Sequence, residues 1–443
     1  MKEKWNLLFG KLKSSNLVIN YIWVFIGQNL GTLFSMLSLI VTLRIISTED
    51  YGALVVIQTY VTLISNLFCL RTFNGVIKYV TDLESEGKEY LIKSYVKTAF
   101  LLDTFAGVVA FVMGLLLLKP VTVLMGWDPQ TVTWVNIYLP VVLFLPILNG
   151  AAVGVLRKLD KFKQVNLIHA ATFGIQLLFL GIVWILKLKF FQLVLIIYAI
   201  TEIVECVAIV VLAIIVLKNN KKYNGFWKAK CARDFSFIKF NIFYGLSGTF
   251  DQLLGNVSTL LINKYVGNLG TAYLKVITRI CSLLVKLTNP FSQIIYPELC
   301  RWVSEKKSKK ALSFAVKYFF LVCGAGIIIS IIMFGSYDWW IRIFDSGMVS
   351  AKWQSVLYMT YTILSMAIIC INQCVFALNL TKINLYITII LNCAYIVALI
   401  PVIKMWGIYG YLFLQILQLL LSAMIKIFIS RQRIYQLKNM EVG

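Results

Sequence analysis

The chain has 443 residues, is 60% hydrophobic and only 14% charged, yet carries a formal net charge of +23 and a mean hydropathy of +0.83. A soluble chain would carry about 25% charged and roughly 45–50% apolar residues, so an ordinary cytosolic protein is excluded. A basic surplus attracts phosphate backbones, but it implies nucleic acid only if the charges form one surface.

Crossing a hydrocarbon core of about 30 Å takes a helix of about 20 apolar residues. Twelve such runs occur, at about 18–43, 53–77, 98–118, 133–156, 164–186, 191–217, 236–262, 271–297, 312–336, 353–379, 383–403 and 406–430. Barrel strands would be about ten residues of alternating polarity, so helices are predicted. The first run is too long for a signal-peptide core and no cleavage site follows it, so it is read as a retained helix. The preceding MKEKWNLLFGKLKSSN suits a short amphipathic helix on the cytoplasmic surface.

Twelve spans place both termini on one side. The segments 1–17, 78–97, 157–163, 218–239, 298–317, Lys382 and 426–443 hold 30 Lys/Arg and 10 Asp/Glu. The opposite set, 44–52, 119–132, 187–190, 263–270, 337–352 and Lys404, holds 8 and 5. The positive-inside rule makes the first set, with both termini, cytoplasmic. This division absorbs the whole +23, so the net charge is an orientation signal and no nucleic acid is implied.

No connecting segment is long enough for a soluble domain. Gly-rich phosphate loops, nucleophile elbows and zincin motifs are all missing, so neither an enzyme nor a cofactor is predicted. None of the nine cysteines falls on an outer segment, and disulfides are not expected. Cys370 and Cys374, and the single histidine His169, read as packing residues.

The halves resemble each other at an offset of 220 residues. Gln28, Gly31, Ser35 and Ser38 on span one become Gly248, Asp251, Gly255 and Ser258 on span seven, each set on one helical face. Arg44 and Lys264 end these spans, STEDYGA and GNLGTAY follow, and DLESEGK and WVSEKKS come after the next span. Six helices separate equivalent positions, so the repeat is parallel. The expected domains are an N-terminal lobe over 1–217, a basic cytoplasmic linker over 218–235 and a C-terminal lobe over 236–443.

LRIISTEDYGALVVIQTYVTLISNL, the basic RKLDKFKQVN after span four and the two-lobed arrangement resemble the Wzx-type O-antigen and capsule repeat-unit flippases. These belong to the multidrug/oligosaccharidyl-lipid/polysaccharide (MOP) exporter superfamily. Members usually show Pro-Glu-Asp-Tyr-Gly after span one, and here Thr48 replaces the proline. The resemblance implies an all-α integral membrane protein of twelve transmembrane helices in two six-helix lobes, located in the bacterial inner membrane. It implies a monomeric flippase that carries an undecaprenyl-pyrophosphate-linked oligosaccharide to the outer leaflet by alternating access. A polysaccharide polymerase and a chain-length regulator would be its partners, besides membrane lipids.

Eight ionisable residues lie within spans: Arg71, Lys275, Arg279 and Lys286 against Asp103, Glu202, Glu205 and Asp251. A single central charge costs about 2.5–3.5 kcal/mol on insertion scales, so these must face one another, a bundle interior or water. On span eight, Lys275, Arg279, Lys286, Pro290 and Pro297 lie within about 60° of one another, a stripe of cations and helix-breaking prolines. Such a ladder suits a large crossing anion. Arg71, Lys275, Arg279 and Lys286 are the candidate pyrophosphate ligands, and Gln28, Gly31, Ser35, Gly248, Gly255 and Ser258 the candidate cavity lining. The alternative is that the four acids and four bases only pair internally, with Lys286 and Asp103 reaching toward the inner interface.

Glu202 and Glu205, three residues apart, would keep one proton between them. With Asp251 they are candidates for proton or sodium coupling, or for counter-charge. A cation-coupled efflux pump of the same superfamily is the alternative within transport, opposed by the cation-rich span eight. An intramembrane polysaccharide polymerase or ligase is the alternative from another class, opposed by the short outer segments.

Overall fold

The computed structural model describes residues 16–344, 346–378 and 380–442, and all regular structure among them is helical. Among the described residues seven helical stretches are long and apolar enough to cross a membrane, and an eighth if the bent pair Pro129–Leu143 and Leu145–Lys158 counts as one. Apolar side chains stand outward along them. On one helix Leu101, Phe105, Val108, Val112 and Leu115 follow one another at three- and four-residue steps, all exposed. Water would not tolerate that stripe, whereas lipid does. The predicted N-terminal amphipathic helix lies outside the described residues.

Two compact units divide the chain, Met1–Leu260 and Leu261–Gly443. The first contains α1 (Asn16–Ile45), α2 (Thr48–Phe68), α3 (Thr72–Ser85), α4 (Ile92–Met125), α5 (Pro129–Tyr138), α6 (Ala151–Lys158), α7 (Phe162–Ile185), α8 (Phe191–Asn219) and the start of α9 (Phe235–Ser304). α1 lies along α7. Gly27 and Gly31, one turn apart, make that approach feasible, because a Cβ on Gly27 would stand 2.5 Å from Cβ of Asn166. Small residues at such a seam let membrane helices pack closely where no hydrophobic effect drives them together. α2 starts at a polar cap: the Asp50 N–H donates to Ser47 Oγ at 3.1 Å, and Ser47 Oγ donates to the Asp50 carboxylate at 2.7 Å. Glu49 and Asp50 also complement the helix dipole there.

Span two is not continuous. α2 stops at Phe68 and α3 restarts at Thr72, with Arg71 between them in the left-handed region (φ 49, ψ 46). Neither glycine nor proline marks this position. What enforces the break is the packing of α9: a Cβ on Gly245 would fall 2.6 Å from the Cys69 carbonyl oxygen and 3.0 Å from Leu70 Cα. Span four is broken as well. Between α5 and α6 run two 3-10 segments, Leu139–Leu143 and Leu145–Asn149, each with a proline near its start. Pro140 and Pro146 supply no amide donors, which weakens a regular helix there.

The basic stretch after α8 packs into the first unit. Tyr223 and Phe226 are 1% and 2% exposed, within a core that includes Val80, Val96, Ala152 and Phe237. Lys222 Nζ donates to Glu84 and Glu89, both at 2.8 Å. Asp234, just before α9, accepts from the Ser236 amide at 2.8 Å and from the Tyr95 hydroxyl at 2.7 Å. Burial opposes ionisation of Asp234, but its hydrogen bonds from Ser236 and Tyr95 outweigh this and hold the carboxyl below its ordinary value.

The second unit holds the remainder of α9, then α10 (Ser308–Gly335), α11 (Lys352–Ala367), α12 (Ile369–Ala377) and α13 (Thr381–Val442). α9 and α13 are interrupted at Gly267 (φ 89, ψ −177) and Gly407 (φ 55, ψ −135). Gly267 stands 220 residues after Ser47, so the turns after spans one and seven fall on equivalent residues. Two expectations are corrected here. α9 runs on through Pro290 and Pro297, which are not breaks, since neighbouring groups in membrane helices re-satisfy the carbonyl that a proline frees. Lys426, grouped above with the cytoplasmic tail, is buried within α13, where Nζ donates to Asn372 Oδ1 at 2.8 Å.

Candidate functional site

Three intramembrane acids of the first unit, Asp103, Glu202 and Glu205, each have partners. Asp103, on α4, is 5% exposed. Its Oδ1 accepts from the Thr72 hydroxyl at 2.6 Å, and its Oδ2 accepts from the Ala151 amide at 2.6 Å. Thr72 opens α3 and Ala151 opens α6. One carboxylate therefore serves the first residues of two restarted helices, where backbone donors lack intrahelical partners and the dipole favours negative charge. It is fixed in the interior rather than directed toward the interface.

Glu202 and Glu205 occupy one face of α8 but turn to separate partners. Glu205 Oε1 lies 2.7 Å from His169 Nδ1 on α7. The Tyr138 hydroxyl donates to Glu202 and accepts from Gln58 Nε2 at 3.4 Å. The imidazole of His169 meets Phe173 edge-on at 4.9 Å and lies over Gly31, whose Cβ would stand 2.9 Å from the ring. A polar network thus crosses α2, α5, α8 and α7, with Thr42 and Tyr198 in contact at 3.1 Å beside it. Sequence reasoning undervalued His169, Tyr138 and Gln58. A lone histidine and scattered amides or phenols within apolar runs are a weak signal until their partners are known.

Arg71 sits at the α2/α3 break, immediately before the amino end of α3, with its backbone amide on the Cys69 sulfur. In the second unit, Lys275 and Arg279 are one turn apart on α9, both partly buried. The opposite face of α9 carries Ile277 and Cys281, which pack with Met359 and Ile363 of α11. That packing points the two cations away from the apolar core. Among the described residues neither side chain has an ion-pair or hydrogen-bond partner, and the two like charges stand at i,i+4 spacing.

The cavity-lining candidates have diverse surroundings. Gly31 is taken up beneath His169, and Ser35 is buried, its hydroxyl without a partner among the described residues. Gly255 has open space where a Cβ would stand, and Ser258 is 1% exposed. The side chains of Gln28, Gly248, Asp251 and Lys286 lie outside the described residues. Among the described residues no group of three His, Cys, Asp or Glu could hold a metal ion.

Comparison with known proteins places this architecture. The family of polysaccharide biosynthesis proteins matches residues 17–303, well over half the chain. An inner membrane protein of Escherichia coli (strain K12), YghQ, is 25% identical over 146 residues, which span 33% of this chain and 41% of that relative's length. An inward-facing multidrug resistance transporter of the MATE family superposes with a TM-score of 0.75 at 14% identity, covering 92% of this chain and 96% of that one. A MOP superfamily transporter from Pyrococcus furiosus, described as having a binding pocket of reversed polarity, gives 0.58 at 15% identity, with 96% of both chains covered. At such identities the superpositions establish the fold, and the family match establishes kinship. The chain belongs to the polysaccharide biosynthesis protein family, shares the fold of MATE transporters, and carries among its described residues at least seven helices long and apolar enough to cross a membrane.

Proposed function

We propose that the protein is a flippase for an undecaprenyl-pyrophosphate-linked oligosaccharide, moving it from the cytoplasmic to the outer leaflet by alternating access. The observation that carries this reading is the pair Lys275 and Arg279, one turn apart on α9 and without a counter-charge among the described residues. Asp103, Glu202 and Glu205 are engaged within the first unit by a hydroxyl, an amide, a phenol and an imidazole. Two cations in a poorly solvated segment are costly unless an anion joins them, and a pyrophosphate is such an anion. The guanidinium of Arg279 offers a bidentate fork and the Lys275 ammonium a point charge. Arg71, the residue immediately before α3, is assigned the same role in its own unit, and Lys286 is a further candidate on α9. Gly255 and Ser258 are assigned to the sugar path.

Replacing Lys275 and Arg279 by glutamine tests this. The lipid-linked unit should then accumulate on the cytoplasmic face, read by labelling with a membrane-impermeant glycan reagent. Normal delivery to the outer face in the double variant would refute the assignment.

A second reading, cation-coupled efflux, is supported by the first-unit network. His169–Glu205 and Tyr138–Glu202 pair proton-exchanging groups in the manner of a proton relay. In the flippase reading the same groups couple export to proton uptake. Loss of drug tolerance with intact glycan export on deletion of the gene would favour efflux, and the converse would favour the flippase.

A further inference from the structure

At the cytoplasmic end of the second unit, the first turns of α10 and the last described turns of α13 enclose a cleft of about 800 Å³. Its polar wall is formed by Lys309, Ser313, Lys317, Arg431 and Tyr435. Its floor is apolar: Leu312 and Ile434 are each 7% exposed and belong to the core of that unit. Among the described residues none of the three cations has an acidic partner, and neither 308–335 nor 423–436 contains an Asp or Glu.

The surroundings locate the cleft at a membrane surface. Lys310, beside it on α10, stands 4.6 Å over the ring of Trp302, a pairing suited to the interfacial layer. Deeper along the same two faces the side chains turn apolar while staying exposed: Phe320 and Leu321 lie three and four residues beyond Lys317, and Phe428 and Met424 three and seven before Arg431. A polar, cationic mouth thus continues into an outward apolar surface. That is the profile of an anionic phospholipid, with its phosphate in the cleft and its chains along the helices.

We propose that this cleft is a binding site for the phosphate headgroup of an anionic phospholipid of the cytoplasmic leaflet. The site is separate from the transport residues and stands whether or not the flippase reading holds. Lys317 and Arg431 supply the charge, with Lys309 as the outer cation. The hydroxyls of Ser313 and Tyr435 donate to the remaining phosphate oxygens.

The test uses the full-length protein in detergent, titrated with phosphatidylglycerol, phosphatidylcholine or inorganic phosphate and read by native mass spectrometry. Each interfacial cation removed should weaken phosphatidylglycerol retention about fivefold, so Lys317→Gln with Arg431→Gln should weaken it about 25-fold. The single variants should each show the fivefold step, and the charge-preserving Lys317→Arg with Arg431→Lys should retain the lipid. A control with the same net-charge change elsewhere, Lys187→Gln with Lys189→Gln, should bind as the parent does. Equal retention by parent and the Lys317/Arg431 glutamine variant would overturn the proposal. So would equal weakening in the control, equal binding of phosphatidylcholine, or displacement of the lipid by millimolar inorganic phosphate, which would mark a soluble-anion site.

Discussion

Replacing Asp103 tests whether one carboxylate holds both helix breaks of the first unit. Asp103→Ala leaves two donors, the Thr72 hydroxyl and the Ala151 amide, in a place where Thr72 is 0% and Asp103 only 5% exposed. Each buried donor left unsatisfied costs about 1–3 kcal/mol, so the variant should lose about 4 kcal/mol. Asp103→Asn should lose only about 1–2 kcal/mol, because its amide oxygen can accept from Ala151 while its NH2 donates to a reversed Thr72 hydroxyl. Thr72→Val should cost about 1.5–3 kcal/mol. Combined with Asp103→Ala it should cost less than the sum of the two, by about 1–2 kcal/mol, since the orphaned hydroxyl disappears. Thermal unfolding in detergent, followed by a thiol-reactive dye, suits this chain. Cys69, Cys206, Cys281, Cys370 and Cys374 are all free and buried, and Cys69 adjoins the break itself. Asp103→Ala within about 0.5 kcal/mol of the parent, or strict additivity with Thr72→Val, would refute the role assigned to Asp103.

Further outcomes follow from other contacts. Gly31→Leu should push His169 off α1 and uncouple it from Glu205, and transport should fall at least as far as in His169→Gln. A Gly31→Leu variant with normal transport would contradict the packing described. The lowered pKa of Asp234 contributes stability above the ordinary carboxylate pKa of about 3.9, and that contribution is lost as pH falls through its lower folded value. The stability gap between parent and Asp234→Asn should therefore be constant at neutral pH and close below about pH 4, as followed by melting across a pH series. Lys426→Met replaces a buried ammonium, held only by the Asn372 amide among the described residues, with an apolar side chain of similar length. The melting temperature should hold or rise, equivalent to about 0–2 kcal/mol, whereas a marked fall would show that the charge is needed.

Much of the architecture was legible in the residues. The segments STEDYGA and GNLGTAY, 220 residues apart, marked the turns after spans one and seven, where the structure places the Ser47 cap and the Gly267 break. The breaks were less legible. Pro290 and Pro297 suggested one where α9 is continuous, while Cys69–Leu70–Arg71 suggested none where span two divides. Helix propensity at those positions is weaker than the packing imposed by Gly245 on one side and Asp103 on the other. Within the candidate site, the sequence identified Arg71, Lys275, Arg279, Glu202 and Glu205 as intramembrane charges, but not which of them were already satisfied.

The sequence alone determined that this chain lives in a membrane, because about 20 apolar residues are needed to cross a bilayer whatever they pack against. It also predicts which side is cytoplasmic, since loop charge alone carries that signal. Tertiary structure decided the partners of the buried charges. Asp103 meets residues 31 and 48 positions away, and Glu205 meets His169 across 36. No local pattern encodes such distances. They arise only when separate helices close around the same interior.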